Sequence, residues 1–168
     1  QSNVSSGFAT NTDGIAGTGT LDITIDGVTT QISFDANDNL SDIVSKINSS
    51  GVDANASLIN DGTDYRIMLT SESTGTDFAM SFAEAGSSLG FLAPGSEKVS
   101  ALDATFTVNN IAFTKQSNIV TDAIDGVTFE LKEEGGATAT INVTPDAAGL
   151  ATKVKDLVDS YNAVQAVL

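Results

Sequence analysis

The sequence predicts an α+β fold, mainly β: two small antiparallel-strand subdomains with one short packed helix, followed by a C-terminal helix that leads into a coiled coil. Three observations carry this. Apolar residues alternate with polar ones over short runs bounded by Asp-Gly turns, the period of half-buried strands. A run after position 39 and another at the C-terminus switch to steps of three and four, the helical period. Between the strand-rich stretches, residues 84–98 break both periods with Gly86, Gly90, Pro94 and Gly95. The expected organisation is an arm or linker over 1–16, a first β-rich subdomain over 17–98, a second over 99–145, and the start of a long helix over 146–168.

The N-terminal stretch is Ser, Thr, Asn, Gly and Ala with little apolar content, too little to offset the entropy of ordering by itself. Leu21, Ile23 and Ile25 then alternate with Asp22, Thr24 and Asp26. Ile32 and Phe34 lie on a returning strand after Asp26-Gly27, a dipeptide suited to the positive φ angles of a tight hairpin. Leu40, Ile43, Val44 and Ile47 follow at helical spacing, with Asn39 placed to cap that helix and Gly51 to stop it. Strand patterns resume over 54–60 and 65–70, joined by Asn60-Asp61-Gly62-Thr63, and continue through Phe78, Met80 and Phe82. A second set comprises Phe106 and Val108, Ile111 and Phe113, Val127, Phe129 and Leu131, and Ile141 and Val143. Asp125-Gly126-Val127-Thr128 repeats Asp26-Gly27-Val28-Thr29, a match that turn chemistry alone produces. Thr144-Pro145-Asp146 starts the last helix, since Pro is tolerated in a first turn. Along it Ala147, Leu150, Val154, Leu157, Tyr161, Val164 and Leu168 form the seam of a coiled coil or bundle.

Composition narrows function by exclusion. The 168 residues hold 22 Asp and Glu against 7 Lys and Arg, a formal charge of -15, and no His, Cys or Trp. Without imidazole or thiol there is no His base, Cys nucleophile or thiolate zinc site, so no catalytic residue, cofactor or metal is expected. Three acids for each base also repel phosphate, so nucleic acid and anionic membrane are not expected partners. No apolar run approaches the roughly 20 residues of a membrane span. The chain opens with Gln1 rather than Met and reads as a fragment, with no secretory signal in Gln1 to Gly7.

The motifs that resemble chemistry dissolve on inspection. Gly86-Ser87-Ser88-Leu89-Gly90 matches the nucleophile elbow of hydrolases, but no His is present to take a proton from Ser88. Asp22 and Asp26 share a strand face about 13 Å apart, too far for the paired carboxyls of a glycosidase. Asp35, Asn37 and Asn39 have the spacing that opens a calcium loop, yet Leu40 and Lys46 stand where Gly and Glu are needed. Weak calcium binding is left to that cluster or to residues 60–64. Gly14, Gly17 and Gly19 lack the Lys of a phosphate loop and the completion of a dinucleotide fingerprint.

Two interaction features survive. The terminal seam has little chain beyond it, which favours a helical partner. The second is Leu89, Phe91 and Leu92 in a Gly-rich loop, read either as packing between the subdomains or as a docking loop. The interface candidates are therefore Leu150, Val154, Leu157, Tyr161, Val164, Leu168, Phe91 and Leu92.

In this order the residues resemble the flagellar hook-associated protein 2, or filament-cap, family. The stretch from Gly17-Thr18-Gly19-Thr20-Leu21 through Val52-Asp53-Ala54-Asn55-Ala56 to Tyr65-Arg66-Ile67-Met68-Leu69-Thr70-Ser71 is similar to the IN motif of flagellins and hook-associated proteins. More specific are Ala104-Thr105-Phe106-Thr107-Val108-Asn109, the run Ser117 to Leu131, and Val154-Lys155-Asp156-Leu157-Val158-Asp159-Ser160-Tyr161-Asn162. Asn110 departs from the pattern, since Gly suits that turn better, and the segment between the stretches is short. The resemblance implies a β-rich head whose last helix enters a coiled leg. It further implies an extracellular homo-oligomeric cap at the flagellar tip, secreted through the flagellar export route, that retains flagellin and promotes its assembly, with host surface molecules as a further partner class. The alternatives are a secreted acidic adhesin or carbohydrate-binding β module, and a flagellin-like structural subunit.

Overall fold

Ser2–Val4 form a strand, β1, where sparse apolar content predicts an arm. The computed structural model describes residues 1–12, 17–136, 138–141 and 147–165. Long-range backbone bonds order this segment in place of local hydrophobicity. The Ser5 and Phe8 N–H groups donate to the carbonyls of Ile67 and Tyr65, each at 2.9 Å, and Val4 N–H donates to Ser96 at 2.8 Å.

Gly19–Ile25 (β2) and Val28–Phe34 (β3) make the expected hairpin, in register from Gly19 opposite Phe34 to Ile25 opposite Val28. Asp26 and Gly27 take φ of 49° and 72°, the paired positive angles of a type I′ turn. Helix α1, Leu40–Ser49, begins with a reciprocal cap: Asp42 N–H donates to the Asn39 side chain at 3.1 Å, and Asn39 N–H donates to the Asp42 carboxylate at 3.0 Å. Strands β4 (Ala54–Asn60) and β5 (Tyr65–Ser71) follow as a second hairpin. Thr76–Phe78 then forms a single 3-10 turn, before β6 (Ser81–Gly86) and β7 (Glu97–Val99). The strand expected through Phe78 and Met80 thus starts later. Met80 cannot join the ladder because its N–H donates to the Gln1 side chain, which in turn donates to the Met80 carbonyl.

Two sheets result, ordered β3-β2-β6 and β4-β5-β1-β7. With α1 they enclose one core of Leu21, Ile23 and Ile25 from β2, Ile32 and Phe34 from β3, Leu40, Ile43 and Ile47 from α1, and Ile67 and Leu69 from β5. The periods of two and 3.6 converge on the same interior. Asn48 ties the helix to the sheet: its amide donates to the Ala56 carbonyl at 2.9 Å and accepts from Ala56 N–H at 2.7 Å, as a neighbouring strand would.

Beyond β7 lie two further hairpins, β8 (Ala104–Val108) with β9 (Ile111–Lys115), and β10 (Ile119–Ile124) with β11 (Val127–Glu130). Asn109 and Asn110 take φ of 48° and 67°, so Asn serves this turn in place of Gly. Phe106 stacks on Phe113 with centroids 5.4 Å apart and meets Phe129 edge-on at 5.4 Å. Ile141, expected in a strand, lies outside every described strand and is exposed, and Val143 falls outside the described residues.

The chain divides into two compact units, Gln1–Lys132 and Glu133–Leu168. Both strand-bearing stretches fall in the first. The second carries α2, Ala147–Gln165. Its expected start signal, Thr144-Pro145-Asp146, lies outside the described residues. The α+β, mainly β, class holds.

Candidate functional site

An exposed apolar stripe lies on α2. Its 19 residues extend for roughly 28 Å at helical rise. Taken by itself, the helix leaves Leu150, Val154, Leu157, Tyr161 and Val164 exposed, with Leu157 at 71%. The steps between them are four, three, four and three, which keep all five on one stripe. Val158, also exposed, widens the stripe beside Leu157. Off it, Lys155 pairs with Asp159 one turn on, at 2.5 Å, and Ser160 donates to the Asp156 carbonyl at 2.7 Å. Lys155, Asp159 and Ser160 thus find partners within the helix, whereas the five apolar side chains are exposed. Leu168, the last expected seam position, is outside the described residues.

The loop candidates separate. Phe91 is only 2% exposed and stacks on Phe82 at a centroid distance of 5.2 Å, so with Leu89 it belongs to the core of β2, α1 and β5. Leu92, the next residue, is 59% exposed and remains available. What holds the loop is Glu84, an internal anchor that sequence reasoning missed. Its carboxylate accepts from the Ser88 hydroxyl and from Phe91 N–H at 3.2 Å, while Gly90 N–H donates to Ser88 Oγ at 3.0 Å. The Ser88 hydroxyl therefore braces the loop that carries the G-x-S-x-G spacing.

The acidic clusters are likewise engaged internally. Asp35 accepts from Asn37 N–H at 2.7 Å, Asp38 binds Lys46, and Asn39 caps α1. Lys46 and the Asp35 N–H hold the Asp38 carboxyl below its usual range. Lys115, 2.7 Å away, does the same for Asp122. In the 60–64 turn, Asp61 accepts from Arg66 Nε at 2.8 Å and from the N–H groups of Thr63 and Asp64. Arg66 first, and those backbone donors second, lower the Asp61 pKa from 3.8 to about 2. Among the described residues no cluster of three or more acidic side chains could hold a metal, and no helix is long and apolar enough to cross a membrane.

Asp61 offers a direct check. Its folded pKa is depressed, so its contribution to stability is present above about 3.8 and is lost as the pH falls through about 2. A carboxyl-detected NMR titration is expected to give a midpoint near 2 for Asp61, and Arg66→Ala to move it back toward 3.8. An unmoved midpoint in the variant would show that the backbone donors alone set it.

A β-rich body built of small antiparallel sheets and a C-terminal helix with an exposed apolar stripe define the class as an α+β, mainly β, protein. Residues 101–168 match the model described as the flagellar hook-associated protein 2 C-terminus, and residues 11–73 match the flagellin hook IN motif. Flagellar hook-associated protein 2 of Escherichia coli is 36% identical over 150 residues, covering 83% of this chain and 32% of that protein. The B-type flagellar hook-associated protein 2 of Pseudomonas aeruginosa is 31% identical, with 86% and 36% covered. A crystal structure of the flagellar cap protein FliD from Escherichia coli superposes with a TM-score of 0.86 at 29% identity, over 99% of this chain and 61% of that one. That of FliD from Pseudomonas aeruginosa gives 0.77 at 26%, over 98% and 82%. The chain belongs to the flagellar hook-associated protein 2 family, and it spans about a third of the length of the curated relatives it matches.

Proposed function

We propose that this chain is the central part of a filament cap. In the whole protein it oligomerises at the distal end of the bacterial flagellum, outside the cell, where it retains exported flagellin and promotes its assembly. The observation that carries the reading is the pairing of an IN-type β body with a helix whose heptad seam is uncovered. Leu150, Val154, Leu157, Tyr161 and Val164, continued by Leu168, are the contacts of a coiled leg, and Leu92 is a candidate contact on the head. The role is mechanical and requires no covalent chemistry.

Leu157→Ala tests it. In this chain the substitution is expected to change unfolding free energy by no more than about 0.5 kcal/mol, the usual effect at an exposed site. In the full-length protein it should cost about 2–5 kcal/mol, the range for a buried Leu, and release monomeric flagellin into the medium. A loss of that size in the isolated chain would place the seam in the chain's own core and refute the leg.

A further inference from the structure

We infer that the loop over 74–77 is a releasable clasp that sets the orientation of the β8–β11 hairpins relative to the core around α1. The two have separate hydrophobic centres. The main core draws its buried residues from Leu21 to Phe91, whereas Phe106 packs on both Phe113 and Phe129. No strand of one pairs with a strand of the other. Among the described residues, three hydrogen bonds join them, all on this loop: the Thr74 hydroxyl to the Gln116 carbonyl at 2.7 Å, Thr76 N–H to the Asp103 carboxylate at 2.6 Å, and Asp77 N–H to Gln116 Oε1 at 3.2 Å.

Gly75 makes the approach feasible. Its φ of 95° is one that L side chains rarely adopt, and a Cβ there would overlap Gln116 Oε1 and lie 2.7 Å from Gln116 Cα. All three bonds are exposed, so water competes for each partner and breaking them strands no buried group. Relative motion is the default where two packed parts have separate cores and no large hydrophobic interface is needed to hold either together. The clasp therefore acts on orientation, and each part keeps its fold when it opens. This inference is independent of the cap reading.

Spin labels at Ser45→Cys on α1 and Thr107→Cys on β8 report the distance between the parts, in a chain that has no other Cys. The parent is expected to give one narrow distance distribution. Asp103→Ala with Gln116→Ala, and separately Gly75→Val, should widen it by at least about twofold, with amide exchange protection retained in β2 to β5 and in β8 and β9. An unchanged distribution in both variants overturns the inference. So does loss of protection throughout, because the parts would then unfold as one.

Discussion

Removing residues 1–8 is expected to lower the unfolding free energy of the first unit by more than about 4 kcal/mol, or roughly 8–16 °C in melting midpoint for a chain of this size. Burying Val4 accounts for about 1.5–3 kcal/mol of that. The rest comes from backbone partners left behind at Tyr65, Ile67 and Ser96, at about 1–3 kcal/mol for each that stays buried. The segment is not ideally fitted, since Asn3 is 4% exposed and its Oδ1 has no hydrogen-bond partner. Calorimetry on the truncated chain decides the matter. A midpoint within about 2 °C of the parent would return these residues to the status of an arm.

Phe91→Ala is expected to cost about 3–5 kcal/mol, whereas Leu92→Ala, one residue along, should stay within about 0.5. The contrast follows from burial alone, because both lie in the same short loop. Denaturant titration of the two variants measures it. Equal small effects would mean that the Phe82–Phe91 stack forms no part of the stabilising core.

What the sequence made legible was local. The Asp26-Gly27 hairpin, α1 and α2 each announce themselves through a period and a turn or cap within ten to twenty residues. The Asn39–Asp42 box went unread because it uses Asn and Asp where Ser or Thr with Glu is the common signature. β1 was illegible: its partners lie 64 to 97 positions away, and Asn3 and Ser5 are polar although buried. β10 hid for another reason, since its register against β11 shifts between Val120 and Ile124 and so breaks the alternation that marks a strand. For Leu89 and Phe91 the apolar character was plain but the destination was not, because a loop's sequence does not reveal which core receives it. On α2 the period of three and four was legible, and Leu150, Val154, Leu157, Tyr161 and Val164 are exposed along it.

The Asn48 amide on Ala56 has a consequence for crowding. A sheet rim with free N–H and C=O groups invites pairing with an identical neighbour, which leads to fused sheets and fibres. At β4 one such pair of groups is already occupied by a side chain that imitates a strand but cannot propagate one. The opposite rim, β7, is three residues long and bears Glu97 and Lys98. Copies of this body held side by side at high local concentration are thereby discouraged from zipping together through the backbone of this four-stranded sheet.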